Sequence, residues 1–120
     1  MVETSVAPTI WQVATLRDAL ELLAASAEVQ LDYLAGIGLS GGIDELALEF
    51  DDIATTVPGL VANRAVTREA ANLIQQVDAL LASMSDGEHT ALWTAEALGT
   101  AHEWQRVRSV AHQALTALRS

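Results

Sequence analysis

The chain has 120 residues, 51% of them hydrophobic and 4% aromatic, with six basic against sixteen acidic residues, a net charge of −10 and a pI near 4.4. That length fits one domain with its own core. The apolar content excludes a disordered chain, and the absence of cysteine excludes disulfides, thiolate metal sites and cysteine nucleophiles.

Residues 1–7 are expected to form an N-terminal tail, and residues 8–120 a single helical-bundle domain. Met1-Val2-Glu3-Thr4 shows neither the basic region nor the apolar stretch of a secretory signal. From residue 8 to residue 35 apolar side chains recur at helical spacing. Val13, Leu16, Leu20, Leu23, Ala27, Leu31 and Leu34 mark one long helix, with Thr9 and Gln12 at capping-box spacing. Trp11, Leu22, Val29 and Tyr33 form a second stripe, which predicts contact with further helices or with a second copy of the chain.

The next stretch reads Gly36-Ile37-Gly38-Leu39-Ser40-Gly41, the G-x-G-x-x-G spacing of a dinucleotide-binding loop. Such a loop works by following a strand and aiming a helix N-terminus at a pyrophosphate. Here a helical pattern precedes it, and Asp44 and Glu45 would repel phosphate, so the glycines are read as a helix stop and connector. Ser40 lacks the flanking glycine of a nucleophile elbow and is read as a cap or turn residue.

Ser40 or Gly42 is expected to open a second helix with Ile43, Leu46, Phe50, Ile53 and Val57 on its core face, ended by Pro58-Gly59. Asp44, Glu45, Glu49, Asp51 and Asp52 fall on its outer face. Glu45, Glu49 and Asp52 are spaced to share one side. Thr67 is expected to cap a third helix with Ala70, Leu73/Ile74, Val77, Leu80/Leu81 and Met84 inward. Capping boxes at Ser85–Glu88 and Thr100–Glu103 predict two more helices, the first carrying Leu92, Trp93, Ala95 and Leu98 and ending at Gly99. The second carries Trp104, Val107, Ala111, Leu115 and Leu118. The two are alternatively one helix kinked at Gly99, which would put Trp93 and Trp104 on a single face. No alternating run marks a strand. The fold class is all-α, a bundle of four to five antiparallel helices with no sheet.

Charge is distributed unevenly. Residues 1–60 hold ten acids against Arg17 alone, and residues 61–120 six acids against five arginines. A phosphate backbone is repelled by the first half, which argues against nucleic acid as a partner. No apolar run reaches the roughly 20 residues of a membrane span, so no membrane association is expected and a cytoplasmic protein is. The basic residues are all arginine and alanine is abundant, a pattern associated with GC-rich bacterial genomes.

The segment Glu45-Leu-Ala-Leu-Glu49-Phe-Asp-Asp52-Ile resembles the acidic helix of all-α nucleotide pyrophosphohydrolases of the MazG type. That resemblance implies a Mg²⁺-dependent enzyme with a second acidic motif on a neighbouring helix, for which Glu28 and Asp32 are the nearest candidates. Their spacing departs from the family's E-x-x-E, and the chain has no lysine for the phosphates. His89, Glu96 and Glu103 repeat every seven residues, but the Glu-x-x-His of a dimetal bundle does not occur. No catalytic residue, metal or cofactor is assigned. The reading preferred is a non-catalytic interaction module, similar in character to immunity proteins and antitoxins, that presents Asp44, Glu45, Glu49, Asp51 and Asp52 to a basic protein partner. The alternatives are a homo-oligomer joined through Trp11, Leu22, Val29 and Tyr33, and the phosphohydrolase.

Overall fold

The structure, a computed structural model, describes residues 3–39, 42–85 and 89–119, with backbone alone for residues 3–9 and 119. The described residues form seven α-helices and one 3₁₀ turn: α1 Glu3–Ala24, α2 Ala27–Gly36, α3 Asp44–Ala54, α4 Val57–Ala62, α5 Arg68–Ser83, the turn Thr90–Leu92, α6 Ala95–Thr100 and α7 His102–Arg119. None of them is a strand, as the absence of alternation predicts. The longer helices α1, α3, α5 and α7 make the bundle, α5 packing on α7, α7 on α1 and α1 on α3. The short helices α2, α4 and α6 connect them.

Most of the expected core positions are inside, although Val13, Ala27 and Leu31 are half-buried and Ala95 is exposed. Leu16, Leu20, Leu23 and Leu34 are buried from α1 and α2, Ile43, Leu46, Phe50, Ile53 and Val57 from the α3 region, Ala70, Ile74, Val77, Leu81 and Met84 from the α5 region, and Trp104, Val107, Ala111 and Leu115 from α7. Thr67 caps α5 as expected, its hydroxyl oxygen accepting from the Ala70 N–H at 3.2 Å.

Several boundaries differ from the sequence reading. α1 begins at Glu3, inside the segment expected as a tail, so Thr9 lies within the helix and not at its start. The single helix over 8–35 is two. Ser26 leaves the helical conformation (ψ 159°) and its side chain accepts from the Val29 N–H, capping α2. The carbonyls left open at the end of α1 find distant donors: Gln30 Nε2 donates to Leu22 O at 2.9 Å and to Leu23 O at 3.2 Å, and Arg108 Nε donates to Ala25 O at 3.0 Å. A helix end buried without such partners would be costly, so a residue of α7 licenses a break that periodicity alone cannot show.

α2 ends in a Schellman motif. The Leu39 N–H reaches Leu34 O at 2.8 Å and the Gly38 N–H reaches Ala35 O at 3.1 Å, with Gly38 in the left-handed region at φ 78°. The glycine segment is thus a helix stop with helix before it, and the dinucleotide pattern is coincidental in backbone terms. Ser40, one expected start of the next helix, lies with Gly41 outside the described residues; Gly42, the other, falls before α3, whose cap position is Ile43. Pro58-Gly59 does not end a helix; Pro58 sits in the first turn of α4, where its missing N–H is no loss. α4 closes with the same motif as α2, but with Arg64 at the left-handed position (φ 62°).

The Ser85–Glu88 capping box falls largely on residues 86–88, outside the described residues. Trp93 belongs to the connection after the 3₁₀ turn, not to a helix, and Thr94 caps α6 by accepting from the Ala97 N–H at 3.1 Å. Gly99 lies within α6. Thr100 is the last residue of α6 and its hydroxyl donates to Glu96 O, so the second expected box is not formed. Ala101 is extended (ψ 139°), which separates α6 from α7 and rules out one continuous helix through Gly99. Trp93 and Trp104 still meet, edge to face, with ring centroids 5.3 Å apart. Each indole N–H is satisfied at 2.7 Å, Trp93 by Met84 O and Trp104 by Leu92 O.

Candidate functional site

The break between α1 and α2 lets α2 pack against α6 while its Tyr33 reaches Glu49 of α3. The result is a groove of about 620 Å³. From α1 come Thr15, Asp18, Ala19, Glu21 and Leu22, from the break Ala25, from α2 Val29 and Tyr33, and from α3 Glu49. Among the described residues its lining holds three carboxylates and no cation. Leu22 and Ala19 are half-buried and packed on the core, whereas Val29 is 52% exposed. The groove is therefore an apolar strip with acidic groups supplied by both α1 and α3.

Tyr33 ties α2 to α3. Its hydroxyl lies 2.8 Å from Glu49 Oε1 and 2.7 Å from Oε2, and donates to the carboxylate. Hydrogen bonds to an ionised acceptor are among the stronger kind. The bond to Glu49, burial, and the negative charges of Glu49 and Glu45 together push the Tyr33 phenol up to about 12. Near neutral pH Tyr33 is therefore a donor.

Sequence-predicted residues from two separate groups meet here. Leu22, Val29 and Tyr33 of the second stripe line the groove with Glu49 of the acidic helix. Trp11 is not among the lining residues; it is 66% exposed on α1, beside Ile10 at 64%, and the end of α1 at Ala24 puts Val29 and Tyr33 on a different helix from Trp11 and Leu22. The stripe is thus not one face of one helix. Among the acids, Glu45 is half-buried and close enough to act on Tyr33, and Asp44, Asp51 and Asp52 are exposed. Asp51 lines a separate shallow hollow with Asp78 of α5.

Three positioning residues are absent from the sequence reading: Ser26, Gln30 and Arg108. Gln30 is fully buried, and its carbonyl oxygen accepts from Arg108 Nη2 at 3.1 Å. The same Nη2 donates to Leu98 O, so one guanidinium joins α7 to the α1–α2 break and to α6. All its acceptors are neutral, and burial pushes it below its ordinary value. The local signal for the break was Ser26 two residues before Glu28, the N-cap and first-turn acid of a helix start. Nothing local marks Arg108 as its partner.

The MazG-type resemblance needs a second acidic motif converging on α3. Glu28 and Asp32 are exposed on α2, and the α2 residue bonded to Glu49 is Tyr33. Among the described residues no three histidine, aspartate or glutamate side chains gather closely enough to hold a metal ion. Among them, too, no helix is long and apolar enough to cross a membrane. No family model, no curated protein and no solved structure matches this chain.

Proposed function

We propose that this chain is a non-catalytic protein-interaction module that takes a basic partner on the surface built by α1, α2 and α3. The observation that carries the reading is the groove itself, where Leu22, Val29 and Tyr33 are framed by Asp18, Glu21 and Glu49 with no cation among them. Apolar contact supplies affinity once water is displaced. The surrounding negative charge raises the encounter rate with a basic partner and disfavours acidic ones. In this respect the chain is similar in kind to immunity proteins and antitoxins, which act by occupying a partner.

Low-salt affinity capture from the native host tests the reading. A basic protein is expected on wild type, and its recovery should fall on the E45Q/E49Q/D52N variant, which leaves Asp18 and Glu21 in place, and on raising the salt. Retention of the same proteins on wild type and variant alike would overturn it. A second reading is self-association, favoured by the exposed pair Ile10 and Trp11 on α1. Under it Trp11→Ser lowers the sedimenting mass, and a wild-type monomer at every concentration eliminates it.

A further inference from the structure

We infer that the occupant of the groove is an amphipathic helix of about three turns with arginine or lysine along both flanks. This inference rests on the groove being the docking surface. Thr15 and Ala25 bound the groove along α1, ten residues apart, which is about 15 Å at 1.5 Å per residue and equals about three helical turns. Small side chains at Ala19 and Ala25 leave room for a helix to approach α1 at the usual 8–10 Å between axes. The backbone supplies the second argument. An extended peptide gains its affinity by hydrogen bonding to an open strand edge, and the described residues contain no strand. The groove-lining segments of α1, α2 and α3 use their main-chain groups within their own helices or in the capping bonds described above. An extended chain laid here would have the N–H and C=O groups turned into the groove unmet, whereas a helix satisfies its own internally. Charge fixes the flanks. Asp18 and Glu21 come from α1 and Glu49 from α3, so cations are required on both sides of the occupant's apolar stripe.

The test uses three synthetic peptides of about fifteen residues, followed by amide chemical shifts of the intact protein. One has leucines at helical spacing flanked by arginines. The second has the same composition in alternating order, and the third replaces every arginine by glutamate. The first should shift the amides of residues 15–25, 29–33 and 49, saturate at one peptide per chain and bind about tenfold tighter than the second; the third should not bind. Val29→Arg, at an exposed position, should abolish those shifts while leaving the helical circular dichroism unchanged. Equal binding of the first two peptides would overturn the helix inference and leave the acidic docking reading standing. Failure of any basic peptide to shift the groove overturns both. Binding that survives Val29→Arg, or shifts of the same amides on simple dilution of the protein, would also overturn it, the latter by showing a second copy in the groove.

Discussion

The α6–α7 half of the molecule turns its large polar donors inward, whereas the α1–α3 half, Gln30 apart, turns its charge outward. In the α6–α7 half, Arg108, Trp93 and Trp104 direct their donors to carbonyl oxygens inside the fold, namely Ala25, Leu98, Met84 and Leu92. In the α1–α3 half, Asp18, Glu21, Asp44, Asp51 and Asp52 are exposed, and Glu49 alone among the acids is bonded to a named side chain, Tyr33, among the described residues. Internal donors hold a structure together, since an unmet buried group is costly. Exposed like charges mildly oppose the folded state. The contrast concentrates internal side-chain donors in the second half and exposed acidic charge in the first, which is the division the proposed function requires.

That contrast can be broken by mutation, beginning with the largest expected effect. Trp104 is fully buried, and Trp104→Ala should cost about 3–5 kcal/mol in denaturant unfolding, the range for deleting a buried aromatic. A cost near that of a surface change would mean that α7 does not anchor the fold. Arg108→Met keeps much of the length but removes every donor. It leaves Ala25 O, Leu98 O and the Gln30 carbonyl short of a partner, and should cost about 2–3 kcal/mol. Hydrogen exchange should then rise first at the α1–α2 break; uniform loosening of the whole chain would contradict the role given to this residue.

Smaller effects sharpen the acid-rich side. Tyr33→Phe should cost about 0.5–1 kcal/mol, because the bond to Glu49 is only half-buried and is screened. Tyr33 is the single tyrosine of the chain, so phenolate absorbance reads it alone. Its folded pKa is raised to about 12 from an ordinary 10.0. The sign follows from proton binding: above pH 10 the unfolded chain loses this proton while the folded chain keeps it. Stability contributed by this group is therefore complete below pH 10 and lost as pH rises toward 12, a decline absent in Tyr33→Phe. A phenol that titrates at its ordinary value would remove the Tyr33–Glu49 link. Smaller still, Arg64→Gly should stabilise the protein by about 0.5–1 kcal/mol, since a non-glycine residue at φ 62° carries strain. A loss of stability there would point to an unrecognised contact of the Arg64 side chain.

The bundle itself was legible in the sequence because burial imposes a period. The stripes of α5 and α7 and the core face of α3 lie where the spacing puts them. The breaks were harder to read. Ala-Ala-Ser-Ala at 24–27 is compatible with helix on propensity, and it separates α1 from α2 because Gln30 and Arg108 accommodate the open carbonyls, the latter from 83 positions away. Pro58 reads locally as either a stop or a first-turn residue, and tertiary packing decides. The site was half legible for the same reason. Glu49 and Tyr33 each stood out, one in an acidic run and the other in an apolar stripe. Only the turn at Ser26 brings them together.

The claim that the acid-rich half is a recognition surface is tested most directly by association kinetics across a salt series. The arginine-flanked helical peptide serves as the probe, against wild type and E45Q/E49Q/D52N. Folding stability of the variant should stay within about 1 kcal/mol of wild type, because reduced like-charge repulsion offsets the weaker bond that Tyr33 makes to Gln in place of Glu49. Its association rate should fall several-fold at low salt and by less at high salt, where screening closes to about 8 Å or below. Identical association rates for the two proteins at every salt concentration would contradict the claim and reduce the acidic helix to a solvated face.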